Sequence, residues 1–139
     1  MGNCQKINLL IKSSQGYVYS DMSDFELFTT GTLKKLKSSW MICYQNENQG
    51  TTKITLFSDQ TATIKSDGKI AYTFRFIQNK VTKSSLCCQD LFSCMSLKAT
   101  KIHHKLTLEG GTIALEYDMN VESKMVVKNK LFISINLSK

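Results

Sequence analysis

The chain has 139 residues, 42% of them hydrophobic and 21% charged, and it contains no proline. That length fits one domain, residues 1–139, burying about two-thirds of the surface its unfolded chain would expose, and the balance excludes wholesale disorder. Eighteen basic against eleven acidic residues give a net charge of +7, and no apolar run reaches the roughly 20 residues that a membrane-spanning helix needs.

The first residues, Met1-Gly2-Asn3-Cys4-Gln5-Lys6, lack the apolar core of a secretory signal, so a cytoplasmic location is expected. Gly2 fits an N-myristoylation pattern only in part, because Lys6 stands where Ser or Thr is required. Ile7, Leu9 and Ile11 then alternate with Asn8, Leu10 and Lys12, which predicts a first strand over residues 6–14. Residues 15–24 are expected to form a polar connection carrying Tyr17 and Tyr19, with at most about one helical turn. A strand over residues 25–37 follows, with Phe25, Leu27, Thr29, Gly31 and Leu33 in one phase. Gly31 in its middle predicts a bend or bulge.

Trp40, Ile42 and Tyr44 alternate with Met41, Cys43 and Gln45. Beyond a polar cluster ending in Gly50, Thr52, Ile54 and Leu56 alternate with Lys53, Thr55 and Phe57. Period-two patterning on both sides of an Asn/Gln/Gly cluster is a hairpin signal, and the remaining strands are expected to add to this pair. Residues 61–66 form the next strand, and Ser66-Asp67-Gly68-Lys69 has the composition of a type I′ turn. Residues 70–77 set Ile70, Tyr72, Phe74 and Phe76 against Ala71, Thr73, Arg75 and Ile77. Two shorter strands are expected over residues 81–88 and 92–99, and another over 101–108. After Glu109-Gly110-Gly111, residues 112–121 alternate through Ile113, Leu115, Tyr117, Met119 and Val121, and a last strand carries Val127, Asn129, Leu131, Ile133, Ile135 and Leu137 in one phase.

No stretch shows helical spacing. Many antiparallel strands joined by short turns predict an all-β, single-domain, up-and-down barrel of about eight strands, or a strongly curled sheet. The series Phe28-x-x-Gly31-x-Leu33, Tyr44-x-x-Glu47-x-x-Gly50-x-Thr52-x-Ile54, Gly110-Gly111-x-Ile113-x-Leu115-x-Tyr117 and Asn129-x-Leu131-x-Ile133-x-Ile135 resembles the YwiB-like family of bacterial proteins. The resemblance runs from about Ile7 to Leu137 and implies a lipocalin- or streptavidin-like, calycin-type barrel. It implies no activity. The family's Tyr-x-Thr-Pro-Tyr-Gly is replaced by Cys87-Cys88-Gln89-Asp90-Leu91-Phe92, and its Arg-x-Gly by Lys65-Ser66-Asp67-Gly68, so a site built on those positions would be altered here.

Little in the residues argues for catalysis. Nucleophile, P-loop and dinucleotide signatures are missing, and no cofactor is implied. Five cysteines without an export signal predict reduced thiols, and Cys87 and Cys88 would face opposite sides of a strand and share no metal. A turn at Asp90-Leu91 would set Cys87 opposite Cys94. His103 and His104 alternate faces in the same way, one to solvent and one packed. Glu116 and Asp118 read as solvated outer residues beside lysines.

The aromatic residues hold more interest. Trp40, Tyr44, Tyr72 and Tyr117 share inward phases, and a barrel of this size is either filled by side chains or holds one small ligand. Arg75, the only arginine, is either an outer residue or the one charge inside, where it would need an anionic partner. Two functions follow from these alternatives. One is a binding module holding a small, largely apolar ligand near Trp40, Tyr44, Tyr72, Arg75 and Tyr117. The other is a filled barrel acting as an adaptor, with a lysine-rich face for RNA or an acidic protein. The basic excess favours weak, salt-sensitive polyanion binding over base-specific reading.

Overall fold

The computed structural model describes residues 3–17, 23–47, 49–58, 60–88, 91–121 and 125–137. Every regular element among them is a strand: β1 Asn3–Tyr17, β2 Ser23–Lys35, β3 Trp40–Gln45, β4 Thr51–Ser58, β5 Thr61–Ser66, β6 Ile70–Ile77, β7 Val81–Cys88, β8 Leu91–Thr107, β9 Gly110–Val121 and β10 Met125–Leu137. They close into one antiparallel barrel in which each strand lies beside its sequence neighbours and β1 pairs with β10. The up-and-down barrel expected from the sequence is present, with ten strands in place of about eight. No helix among the described residues is long and apolar enough to cross a membrane.

Strict alternation decides which residues fill the interior. Ile7, Leu9 and Ile11 of β1, Ile42 of β3, Ile54 and Leu56 of β4, and Phe74 and Phe76 of β6 are all buried, as are Ile113, Leu115, Ile133 and Ile135 from β9 and β10. The residues between them face outward. The central hairpin pairs Trp40 with Leu56, Ile42 with Ile54 and Tyr44 with Thr52, in the register that places both apolar sets on one side.

Several expected boundaries move. β1 continues through residues 15–17 and β2 starts at Ser23, because β10 supplies partners for Gln15, Gly16 and Tyr17 and β2 for Ser14 and Gln15. Ladder pairing outweighs the polar composition there. Tyr19 and the rest of the expected connection, residues 18–22, lie outside the described residues, as does Gly2. The strands expected over 92–99 and 101–108 are one strand, β8, with a bulge between Ala99 and Lys101. Thr100 is the extra residue, so the buried series Met95, Leu97 and Ala99 resumes at Ile102. A slip in phase, with no turn, separates the two halves.

The turn at Asp67-Gly68 is not type I′, which requires positive φ at both central residues. Only Gly68 has it, at 107°. Asp67 is held otherwise: its carboxylate accepts from the Thr51 N–H at 2.6 Å, and its own N–H donates to the Thr51 carbonyl at 3.1 Å. Cys87 stands opposite Phe92, and Cys94 opposite Ser85. The predicted Cys87–Cys94 pairing is therefore wrong by two residues, because the turn begins after Cys88; residues 89–90 lie outside the described residues.

At the end of the barrel bearing the β3–β4 and β5–β6 turns, strand lengths are unequal. β2 pairs with β1 along residues 23–35 but with β3 only over residues 31–35. Gly31 is where β3 leaves. A Cβ on Gly31 would lie 2.2 Å from the Cys43 carbonyl oxygen and 3.1 Å from the Tyr44 Cβ. The hairpins β1–β2 and β9–β10 thus extend past the short hairpins β3–β4 and β5–β6 and wall off a mouth at that end.

Candidate functional site

The mouth contains a cavity of about 380 Å³. Its floor is apolar, formed by Ile11, Ile54, Ile64, Phe74 and Leu131. Alternation along β3, β6 and β9 brings three phenols into it, those of Tyr44, Tyr72 and Tyr117. Gln15, Phe25 and Asn129 border it from β1, β2 and β10.

The rings pack in a continuous chain. Tyr72 stacks on Phe74 at 4.2 Å between centroids, Phe74 meets Phe76 edge-on at 6.2 Å, and Phe76 lies 4.7 Å from Tyr117. Such contacts fix the ring planes and so the directions of the hydroxyls. Two hydroxyls are anchored. Tyr44 is hydrogen-bonded to Thr52, and Tyr72 to Ser66. Thr52 and Ser66 are themselves 3.0 Å apart, and the Asn46 amide donates to both, at 3.2 and 3.0 Å. The Tyr117 hydroxyl makes no hydrogen bond to any described residue.

Burial is the main cause of the altered acidity of these groups. It pushes the Tyr44 phenol up to about 12, with the neighbouring Tyr72 adding to the rise and the Thr52 bond opposing it. Burial also raises Tyr72, against the Ser66 bond, and raises Tyr117 further, again helped by Tyr72. Tyr72 thus acts on both of the other phenols from its place between them in the cavity lining. All three are neutral hydroxyls at ordinary pH. They can donate a hydrogen bond and cannot serve as bases.

Of the residues expected at a site, Tyr44, Tyr72 and Tyr117 come together and two do not. Trp40 begins the strand whose far end carries Tyr44, about four residues or 13 Å away. It lies at the opposite end of the barrel, under the Lys35 ammonium at 4.6 Å, and does not border the cavity. Arg75 is exposed between the buried Phe74 and Phe76. Alternation turns it outward, which corrects the alternative of an arginine inside. His103 is exposed and His104 half-buried, as their adjacent positions require. Glu116 and Asp118 pair with Lys101 and Lys128 at 3.8 and 3.9 Å on the outer surface.

The polar residues Asn46, Thr52, Ser66 and Asn129 were not singled out in the sequence. Asn129 had a usable signal, since it interrupts the inward apolar series of β10. It is 8% exposed, and its amide donates to the Val127 carbonyl at 3.1 Å. Asn46 and Ser66 lie at strand ends, where alternation carries no information about what they touch.

Residues 11–133 match the family described as Domain of unknown function (DUF1934). No curated protein matches the sequence. The fold is similar to the crystal structure of the ywiB protein from Bacillus subtilis, with a TM-score of 0.86 and 18% identity, over 99% of this chain and 94% of that one. That identity is low enough that the likeness speaks for the fold alone.

Proposed function

The chain belongs to the family of the Domain of unknown function (DUF1934), and from that premise we propose that it is a small non-catalytic binding module whose barrel mouth holds a small, largely apolar molecule. One observation carries this reading: the cavity of about 380 Å³ with an apolar floor and three inward phenols. Its volume falls in the range of small-molecule pockets, roughly 300–1,000 Å³, and its make-up follows their pattern of apolar walls with a few placed polar groups. A filled barrel working only through a lysine-rich face has less support, because the described side chains leave this cavity at the mouth. Some of the lysines are also drawn into outer ion pairs, Lys12 with Glu26 at 3.9 Å among them.

Native mass spectrometry of protein purified from its own cells tests the reading. A retained adduct of a few hundred daltons, displaced by an added apolar compound, is the expected result. Protein without any adduct, together with no response of the Tyr44, Tyr72 and Tyr117 ring resonances to a panel of apolar compounds, would remove it.

A further inference from the structure

Resting on that reading of the mouth, we infer that the bound molecule is uncharged and carries a hydrogen-bond acceptor, such as a ketone, ester or amide carbonyl, at its buried end. The argument turns on what the cavity offers and what it lacks. Among the described residues, the side chains directed into it are apolar or neutral. Lys130 borders it but belongs to the outward series of β10 and is exposed, between the buried Asn129 and half-buried Leu131. The only arginine, Arg75, is outside. An anion drawn into this space would lose its hydration and gain no opposite charge, a severe penalty.

A cation meets the same obstacle, since no carboxylate among the described residues lines the cavity. A wholly apolar molecule fits the floor but would cover the Tyr117 hydroxyl, which has no partner among the described residues. Covering a donor without replacing its bond is costly. The Tyr44 and Tyr72 hydroxyls are different, because Thr52 and Ser66 already engage them. Tyr117 is therefore the phenol left without a partner among the described residues, and an acceptor would complete its O–H. The chain Tyr72–Phe74–Phe76–Tyr117 holds that donor in a fixed direction against the apolar floor.

The test uses three compounds of matched length, decanone with its carbonyl beside the terminal methyl, decanoate and decane, titrated into the full chain and followed through tyrosine ring resonances. The ketone is expected to bind about tenfold more tightly than the alkane, the worth of one neutral hydrogen bond, and decanoate more weakly than either. Tyr117→Phe is expected to tighten binding of the alkane, which then covers no unpaired hydroxyl, and to abolish the ketone's advantage. Tyr44→Phe, as a second variant, should keep it. Equal binding of ketone and alkane would overturn the acceptor and leave the apolar cavity standing, and preferred binding of decanoate would overturn the neutral head. Failure of all three to perturb the mouth would remove this inference and the cavity reading together.

Discussion

The hydroxyls of Thr52 and Ser66 lie 3.0 Å apart on adjacent strands, and each is also bonded to a phenol of the cavity. Together with the Asn46 amide they form a small polar cluster beneath the mouth. Thr52→Val keeps the shape of the side chain and removes its hydroxyl. Tyr44, Ser66 and Asn46 would each lose a partner, at an expected cost of about 1–2 kcal/mol in urea unfolding. Spectrophotometric titration should show the Tyr44 phenol moving up, because the Thr52 bond is what opposes its rise. An unchanged titration would show that the bond does not act on Tyr44.

Stability should fall at high pH for a reason specific to these phenols. Tyr44 has an ordinary value of 10.0 and is raised to about 12 in the fold, so the folded state holds its proton more tightly than the unfolded chain. The stabilisation is complete below pH 10 and is lost as pH rises toward about 12. Denaturant midpoints measured across that window should decline less steeply in Tyr44→Phe than in the unaltered protein. Identical slopes would contradict the burial of this phenol.

Gly31 is expected to resist substitution. Gly31→Ala would drive a Cβ to within 2.2 Å of the Cys43 carbonyl oxygen, forcing β3 away from β2 where the mouth opens. A loss of about 1–3 kcal/mol is expected, as for overpacked sites elsewhere. Denaturant unfolding measures it. Thr29→Ala, two residues away in the same phase, is expected to fall well below that range.

Some of this was legible in the sequence for a simple reason. Period-two alternation reports which side chains share a face, so the Trp40–Tyr44 hairpin, the inward tyrosines and the buried core could be read directly. It does not report height along the barrel. Trp40 and Tyr44 share a face yet sit at opposite ends, and only the staggered hairpin lengths decide which end opens. Arg75 was open to two interpretations because a charge inside a barrel is rare but not forbidden; its flanking Phe74 and Phe76, both buried, settle the matter. The Asn46–Thr52–Ser66 cluster depends on two turns meeting, which no single-strand pattern contains.

The bulge at Thr100 offers the sharpest test of how phase controls this fold. Thr100 and Lys101 are both exposed, between the buried Ala99 and Ile102. Deleting Thr100 would restore strict alternation without turning any core residue outward. What it would disturb is the attachment of the β6–β7 turn, since the Ala99 carbonyl accepts from the Asn79 N–H at 2.7 Å and the Ile102 N–H donates to the Gln78 side chain at 3.2 Å. The deletion should fold, with a loss of about 1–3 kcal/mol for those bonds. Deleting Phe132 from β10, which pairs on both sides without a bulge, has the opposite consequence: Leu131 would precede Ile133 directly, and one side of the junction would turn its inward residues to water. Its expected cost exceeds the roughly 5 kcal/mol of the worst single core truncations. Circular dichroism and denaturant unfolding of the two deletions should separate them clearly. A Thr100 deletion as disruptive as the Phe132 deletion would mean that the barrel depends on the bend of the bulge as much as on the facing of its residues.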